Sequence, residues 1–433
     1  MYHAQRLLRM IQCRTVSVRD SYDDTEFRKL RAVTEALFPA LHAKAEKHIF
    51  SDDCWMYCIP GRDSSRNIML MSHHDVVPAE GEWHYEKFGQ IADGKVWGRG
   101  TADTKTPLYA ELQALEELLT EGFTPPVNVW IGSSHNEELG GDGVPLARDW
   151  FCQQGITFEV ILDEGGAVID APMGGMKCKT CAMVAVHELG KQYIDLKATA
   201  ENGHASLTSA TVKSPVERVT AMVQELVKGE IFIRRLNPQV RAMFRHLGPH
   251  CRFPLNLVLT NAKLFSGILR RVLPKLSPQA AAMIGTTCVP KEIHGSAKEK
   301  QCSAMVLLRP VDRADWEQDF AAVKALAKKY DIEVSVRDNS EYQDPADMTR
   351  PQFVYTMDMI RRHFPDSPAS PTILPAGTDA RTLTDVCPCV LRFAPVRFSK
   401  AQMAGIHAED EHVDIAVITE AIGFYKDFVK EYI

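Results

Sequence analysis

Three short apolar runs limit what this chain can become. NIMLM (67–71), VNVWIG (127–132) and FEVILDE (158–164) are five to seven residues long, which suits strands buried on both faces of a sheet better than helices. Between the first two lies LYAELQALEELLTEG, in which Leu108, Leu112, Leu115 and Leu119 recur at three- and four-residue spacing before Gly122. That spacing predicts an amphipathic helix. Strands alternating with helices predict an α/β fold, a mostly parallel sheet flanked by helices, over the first 190 residues or so. Each run also passes directly into acidic or imidazole groups, as SHHD, SSHNEE and DEGG. In open parallel sheets the crevice beyond the carboxyl ends of the strands is where ligands bind.

From about residue 190 the pattern changes. QYIDLKATA reads as a strand, and a helix opens at Ser214 and Pro215 with Val219, Met222, Val223 and Leu226 on one face. SAMVLLRP and IEVSV read as strands flanking a helix from about Trp316 to Tyr330. This order predicts an inserted α+β unit, and the apolar stretch FPLNLVLTNAKLFSGILRRVLPKL within it predicts a pocket lid or partner surface rather than a second core. After about 345 the earlier character returns, ending in a helix through Ile415, Ile418, Ile422 and Phe428. The expected division is one discontinuous domain of residues 1–189 and 345–433, interrupted by a lid or dimerisation domain of residues 190–344.

Composition narrows the function classes. With 433 residues the chain is long enough for two cores, and a formal net charge of −6 gives no broad footprint for nucleic acid. The start, MYHAQRLLRMIQCRTVS, has no apolar core of signal-peptide length and no later segment is long enough to span a bilayer, so a cytoplasmic home and no membrane partner are expected. Eleven scattered cysteines in a chain of this size suit reduced thiols. CKTC (178–181) and CPC (387–389) read as core packing rather than metal sites, because each is a lone pair.

SHHD poses a choice, since adjacent side chains on a strand point to opposite faces and one metal ion would rarely take both His73 and His74. A fourth polar cluster, GRGTADTK, places Asp103 just before the Leu108 helix, where alone it reads equally well as a helix cap. Taken together, these imidazoles and carboxylates are groups that divalent zinc accepts, in a number suited to two ions sharing a carboxylate.

SHHDVVP, GRGTADTK, NEELGG, DEGG and GIHAEDE resemble, in order and spacing, the motifs of the di-zinc amidohydrolase and exopeptidase family that includes carboxypeptidase S, aminoacylase-1, acetylornithine deacetylase and succinyl-diaminopimelate desuccinylase. VILDEGG and the apolar insert resemble the carboxypeptidase S and N-fatty-acyl-amino-acid hydrolase branch most. The resemblance implies a zinc-exopeptidase-like fold and two Zn2+ ions, with Co2+ or Mn2+ as alternatives. It makes His73, Asp103, Glu138, Asp163 and His407 the metal ligands, with Asp103 bridging and Asp75 orienting the His73 ring. Glu137 becomes the general base that takes a proton from the attacking water and returns it to the leaving nitrogen. His204 matches a lid histidine that assists the oxyanion, sometimes from a dimer partner, although an exposed loop histidine is the other reading. Arg381 matches an anchor for a substrate carboxylate, with a buried pair to Asp379 or Asp385 as the alternative. The chain departs from the pattern at Asn136, where the family commonly has Asp, and at HGSAKEK, where it often has an Asn-x-x-Pro element. The implied function is hydrolysis of an amide bond next to a free carboxylate, in an N-acyl amino acid or short peptide. The other readings are a dipeptidase or deacylase of a polar metabolite and a noncatalytic metal-binding relative. A homodimer through the lid is the expected assembly.

Overall fold

The three apolar runs lie side by side. Strands Val127–Ser134, Asp63–His73 and Val160–Asp163 are consecutive neighbours in a ten-stranded mixed sheet and run parallel to one another, so their carboxyl ends open on one edge. The structure is a computed structural model describing residues 1–19, 21–200, 213–296, 300–337 and 343–432. Strands Glu46–Phe50 and Cys54–Ile59 extend the sheet antiparallel on one side. On the other, Val390–Arg392 continues the parallel order beside Val160–Asp163, and Ala369–Leu374 runs parallel to Thr180–Glu188.

Helix Thr106–Thr120 is buried along most of its length because it packs between the sheet and the terminal helix Ile415–Lys430. Leu108, Leu112 and Leu115 join Ile418, Ile422 and Phe428 in the main core, as their spacing predicts.

The lid sheet is antiparallel, in the order Thr287–Gly295, Gln301–Arg309, Gln192–Thr199, Glu333–Val336. Helices Pro215–Lys228 and Arg313–Tyr330 cover it, burying Val219, Met222 and Val323 against Ile194, Leu196 and Val306. The edge strand Thr287–Gly295 has no apolar alternation to announce it. It is exposed over most of its length and carries an irregularity between Pro290 and Glu292.

The insert folds into helices Pro238–Leu247, Leu255–Thr260 and Ser266–Leu276. Their inner residues, among them Val240, Phe244, Leu259 and Leu269, pack with Cys181, Met183 and Ile373 of the main sheet. The insert therefore has a packed underside, a second buried cluster that it shares with the main sheet. All eleven cysteines are free, and Cys387 and Cys389 are core residues. Among the described residues no helix is long and apolar enough to cross a membrane.

Candidate metal centre

His73 is the last residue of its strand, and its Nε2 lies 2.9 Å from Asp103 Oδ1. The other Asp103 oxygen, Oδ2, lies 3.0 Å from His407 Nε2, which is in turn 3.2 Å from Glu138 Oε2. Ligand atoms of His73, Asp103 and Glu138 all fall within 4.8 Å of one another. Asp103 thus stands between two histidines delivered from opposite ends of the chain.

One buried carboxylate organises half of this arrangement. Asp75 Oδ1 lies 3.2 Å from His73 Nδ1 on the ring edge away from Asp103. Its Oδ2 accepts a 2.7 Å hydrogen bond from Ser17 Oγ, and the backbone amides of Glu137 and Glu138 donate to its two oxygens at 3.2 Å each. The NEE turn is thereby fixed to the His73 strand. Gly141 lets the turn close, since a Cβ there would sit 2.0 Å from Asn136 Cγ. Asn136 itself donates to Asp142 Oδ1 at 3.2 Å.

Glu411 organises the other half and was not singled out from sequence. It is fully buried, pairs with Arg99 at 2.6 Å, and its Oε1 accepts from the amides of Gly100, Ala102 and Asp103. The loop carrying His407 and the turn carrying Asp103 are clamped by this one side chain. His407 adopts a left-handed φ of 59°, uncommon outside glycine, while its ring meets Asp103 and Glu138. Asp103 is not a helix cap: helix Thr106–Thr120 starts after Lys105 and has no side-chain cap.

His74 lies on the opposite face of the strand. It is buried, stacks on Trp55 at 4.2 Å, and its Nδ1 lies 2.8 Å from Ser133 Oγ. Burial holds its pKa below the ordinary value despite Asp53 nearby, so the ring packs as a neutral aromatic. Replacing it removes packing and a hydrogen bond but no ligand. His74→Ala should cost about 2–4 kcal/mol of stability with unchanged metal per chain, whereas His73→Ala should lose at least one ion. Metal analysis after dialysis, with a melting curve, checks both.

The third strand end carries two adjacent acids, Asp163 and Glu164. Asp163 turns toward residues 378–380, where Ala380 N donates to its Oδ2 at 3.2 Å; like Glu164 and His407, it is outside the closest group of His73, Asp103 and Glu138. Its neighbour Glu164 lines the cavity beside Asp103 and Glu137. The strand ends at Asp163, so Glu164 lies beyond it and the alternation of a strand does not fix which acid faces the site. His204 lies outside the described residues.

Arg381 lines the same cavity, near Gly140 and Gly377. A Cβ on Gly377 would fall 2.6 Å from Arg381 Nη1 and 3.1 Å from Lys191 Nζ, which places two cations together at the wall. Lys191 carries no local motif, and only the fold brings it there. Asp385, one alternative partner for Arg381, pairs with Arg148 instead, while Asp379 lies close enough to feel the Arg381 charge.

The electrostatics are those of crowded anions. Burial pushes the Glu137 carboxyl well above the usual range, opposed by His73 and reinforced by Asp379, Asp75 and Glu138. Burial also raises Glu164 well above its usual value, with Asp103 and Asp163 adding to it. Hydrogen bonds to Asp103 and Glu138 lift His407 to about 10. Among the described residues no Lys or Arg forms an ion pair with Asp103, Glu137, Glu138 or Glu164. Several carboxylates and two imidazoles converging without a compensating side-chain cation, apart from the histidines themselves, form a donor set that fits a divalent ion.

From this centre a cavity of about 1590 Å³ runs beneath the lid. Asp103, Glu137, Glu138 and His407 line one end, and the wall beyond is apolar, with Met243, Phe244, Leu247, Leu259, Leu269 and Leu273.

Several known proteins are similar to this chain. The model of peptidase family M20/M25/M40 matches residues 69–431. A probable carboxypeptidase S-like protein of Dictyostelium discoideum is 28% identical, over 99% of this chain and 84% of its own. An N-fatty-acyl-amino acid synthase/hydrolase of Xenopus tropicalis is 28% identical over 97% of this chain and 84% of its own. The crystal structure of an M20 family metallo-carboxypeptidase from Sulfolobus solfataricus superposes with a TM-score of 0.70 at 16% identity, covering 99% of each chain. The chain belongs to peptidase family M20/M25/M40 and is a metal-dependent hydrolase of amide or peptide bonds with a divalent metal cofactor.

Proposed function

We propose that the protein hydrolyses N-acyl amino acids whose acyl group is long and apolar. The cavity carries this reading. Pockets for small ligands commonly measure about 300–1,000 Å³, and this one is larger, catalytic at one end and apolar beyond. A polar metabolite or simple dipeptide would leave most of that wall uncovered. The naming of the Xenopus relative as an N-fatty-acyl-amino acid hydrolase supports the same class.

In this reading two zinc ions are held by His73, Asp103, Glu138 and His407, with Glu164 rather than Asp163 beside His73. When bound, such ions polarise a carbonyl and lower the pKa of water. Glu137, adjacent to Glu138 yet outside the converging ligand set, accepts the proton of the attacking water and returns it to the leaving nitrogen. Arg381 and Lys191 hold the amino-acid carboxylate, a task suited to a guanidinium and an ammonium converging on one wall. The exposed edge strand Thr287–Gly295, with no outer partner strand among the described residues, supports a homodimer joined along that edge.

The test is an acyl series on one amino acid, from N-acetyl to N-oleoyl leucine, beside acetylornithine and unsubstituted dipeptides. Each methylene entering an apolar wall contributes about 0.8 kcal/mol, so kcat/KM should rise about three- to fourfold per methylene until the cavity is filled. A flat or falling series, or faster turnover of the polar substrates, would contradict the reading.

A further inference from the structure

The segment that roofs the cavity has an unusual outer surface. Between Ile231 and Lys291 there is no Asp or Glu, yet there are ten Arg and Lys residues. The remainder of the chain therefore carries sixteen net negative charges. Within this segment Phe253 is 80% exposed, Leu264 81% and Leu276 69%, and Leu257, Ile268 and Val272 are also exposed. Six of the eighteen exposed large apolar side chains among the described residues thus fall in one stretch of 24 residues.

Three of these side chains, Ile268, Val272 and Leu276, share one side of a helix. Leu259, Ala262 and Leu269 of the same stretch point into the apolar cluster against the sheet. On helix Ser266–Leu276, Ile268, Val272 and Leu276 recur every four residues and form one outward stripe. Arg271 and Lys275 immediately precede Val272 and Leu276, so their cations flank the stripe. Arg245, Arg252, Lys263 and Arg270 are exposed as well, and none of these six cations forms an ion pair among the described residues. Ile268, Val272 and Leu276 also line the cavity, so the patch borders its mouth.

We propose that this face docks on an anionic lipid bilayer, lying in its interface with the cavity mouth toward the acyl chains. An apolar stripe with flanking Lys and Arg and no acid is the pattern of interfacial helices, which bind by buried apolar area plus attraction to anionic headgroups. A protein partner of ordinary composition gives no reason for the complete absence of acids across 61 residues. Docking differs from spanning, and it replaces the expectation, drawn from the lack of a spanning segment, that no membrane is involved. It stands independently of the substrate reading, because vesicle binding needs no substrate.

The experiment is sedimentation of the full chain with vesicles of phosphatidylcholine alone and of phosphatidylcholine with phosphatidylserine, at low and high salt. The wild type should bind the mixed vesicles, release with salt, and bind the neutral ones weakly. Two variants, F253S/L264S and R270E/R271E/K275E, should each weaken binding about tenfold or more. Neither alters a residue of the metal centre or the cavity wall, so both should keep the wild-type melting curve and the wild-type rate on a soluble short-acyl substrate. Absence of binding to mixed vesicles, or variants that bind as well as wild type, would overturn the proposal. So would a wild-type dimer that F253S/L264S converts to monomer without any vesicle binding, which would assign the patch to a second copy of the chain.

Discussion

Glu137→Gln should reduce hydrolysis by on the order of 10³-fold while leaving the metal content unchanged. The substitution keeps the side-chain volume and removes only the ability to take a proton. The backbone should stay in place, because what fixes the turn is donation from the Glu137 and Glu138 amides to Asp75, and neither bond uses the Glu137 side chain. Its carboxyl lines the cavity but stands outside the group formed by His73, Asp103 and Glu138. Loss of turnover with full metal therefore separates a base from a ligand. Undiminished activity with metal bound would remove Glu137 from the reaction, and loss of metal would make it a ligand. Metal analysis beside single-substrate kinetics gives both numbers.

Asp103→Ala should abolish metal-dependent turnover, by on the order of 10³-fold or more, because the several kcal/mol supplied by the metal are lost with it. The two oxygens of Asp103 face different histidines, at 2.9 and 3.0 Å. Among the described residues no other carboxylate contacts both histidines. Without Asp103, His73 loses a hydrogen-bond partner that carries its pKa well above the usual value against the effect of burial. The variant should also lose the thermal stabilisation that added zinc gives the wild type, which follows from ligand binding to the folded state alone. A variant that still gains stability from zinc and still turns over would show that the ions sit elsewhere.

Much of this site was legible in the chain because local rules fixed it. Period-two alternation along a strand separates His73 from His74 and puts Asp75 with His73, and the structure shows that division in the Trp55 stack on one face and Asp103 on the other. Asp103, Glu137, Glu138 and His407 each follow a recognisable turn, and the resemblance tied them together. What was not legible depends on contacts distant in sequence or on the ends of elements. Alternation gives no answer at Asp163 and Glu164, where the strand stops and the chain turns. Glu411 looks like one acid in an exposed EDE run until the fold sets it beneath Gly100, Ala102 and Asp103. Lys191 and Arg381, far apart in sequence, come together beside Gly377. The edge strand Thr287–Gly295 pairs on one side and faces outward on the other, so its residues carry little apolar signal to read.

Under the proposed function Asp103 is the shared carboxylate of a two-ion centre at the catalytic end of the cavity. Anomalous diffraction at the zinc edge, from crystals of the wild-type chain loaded with Zn2+, tests it most directly. Two peaks in contact with Asp103 are expected, one beside His73 and Glu164 and the other beside Glu138 and His407. A single peak, a first-ion site completed by Asp163 instead of Glu164, or zinc found only at the Cys178 and Cys181 thiols would contradict it.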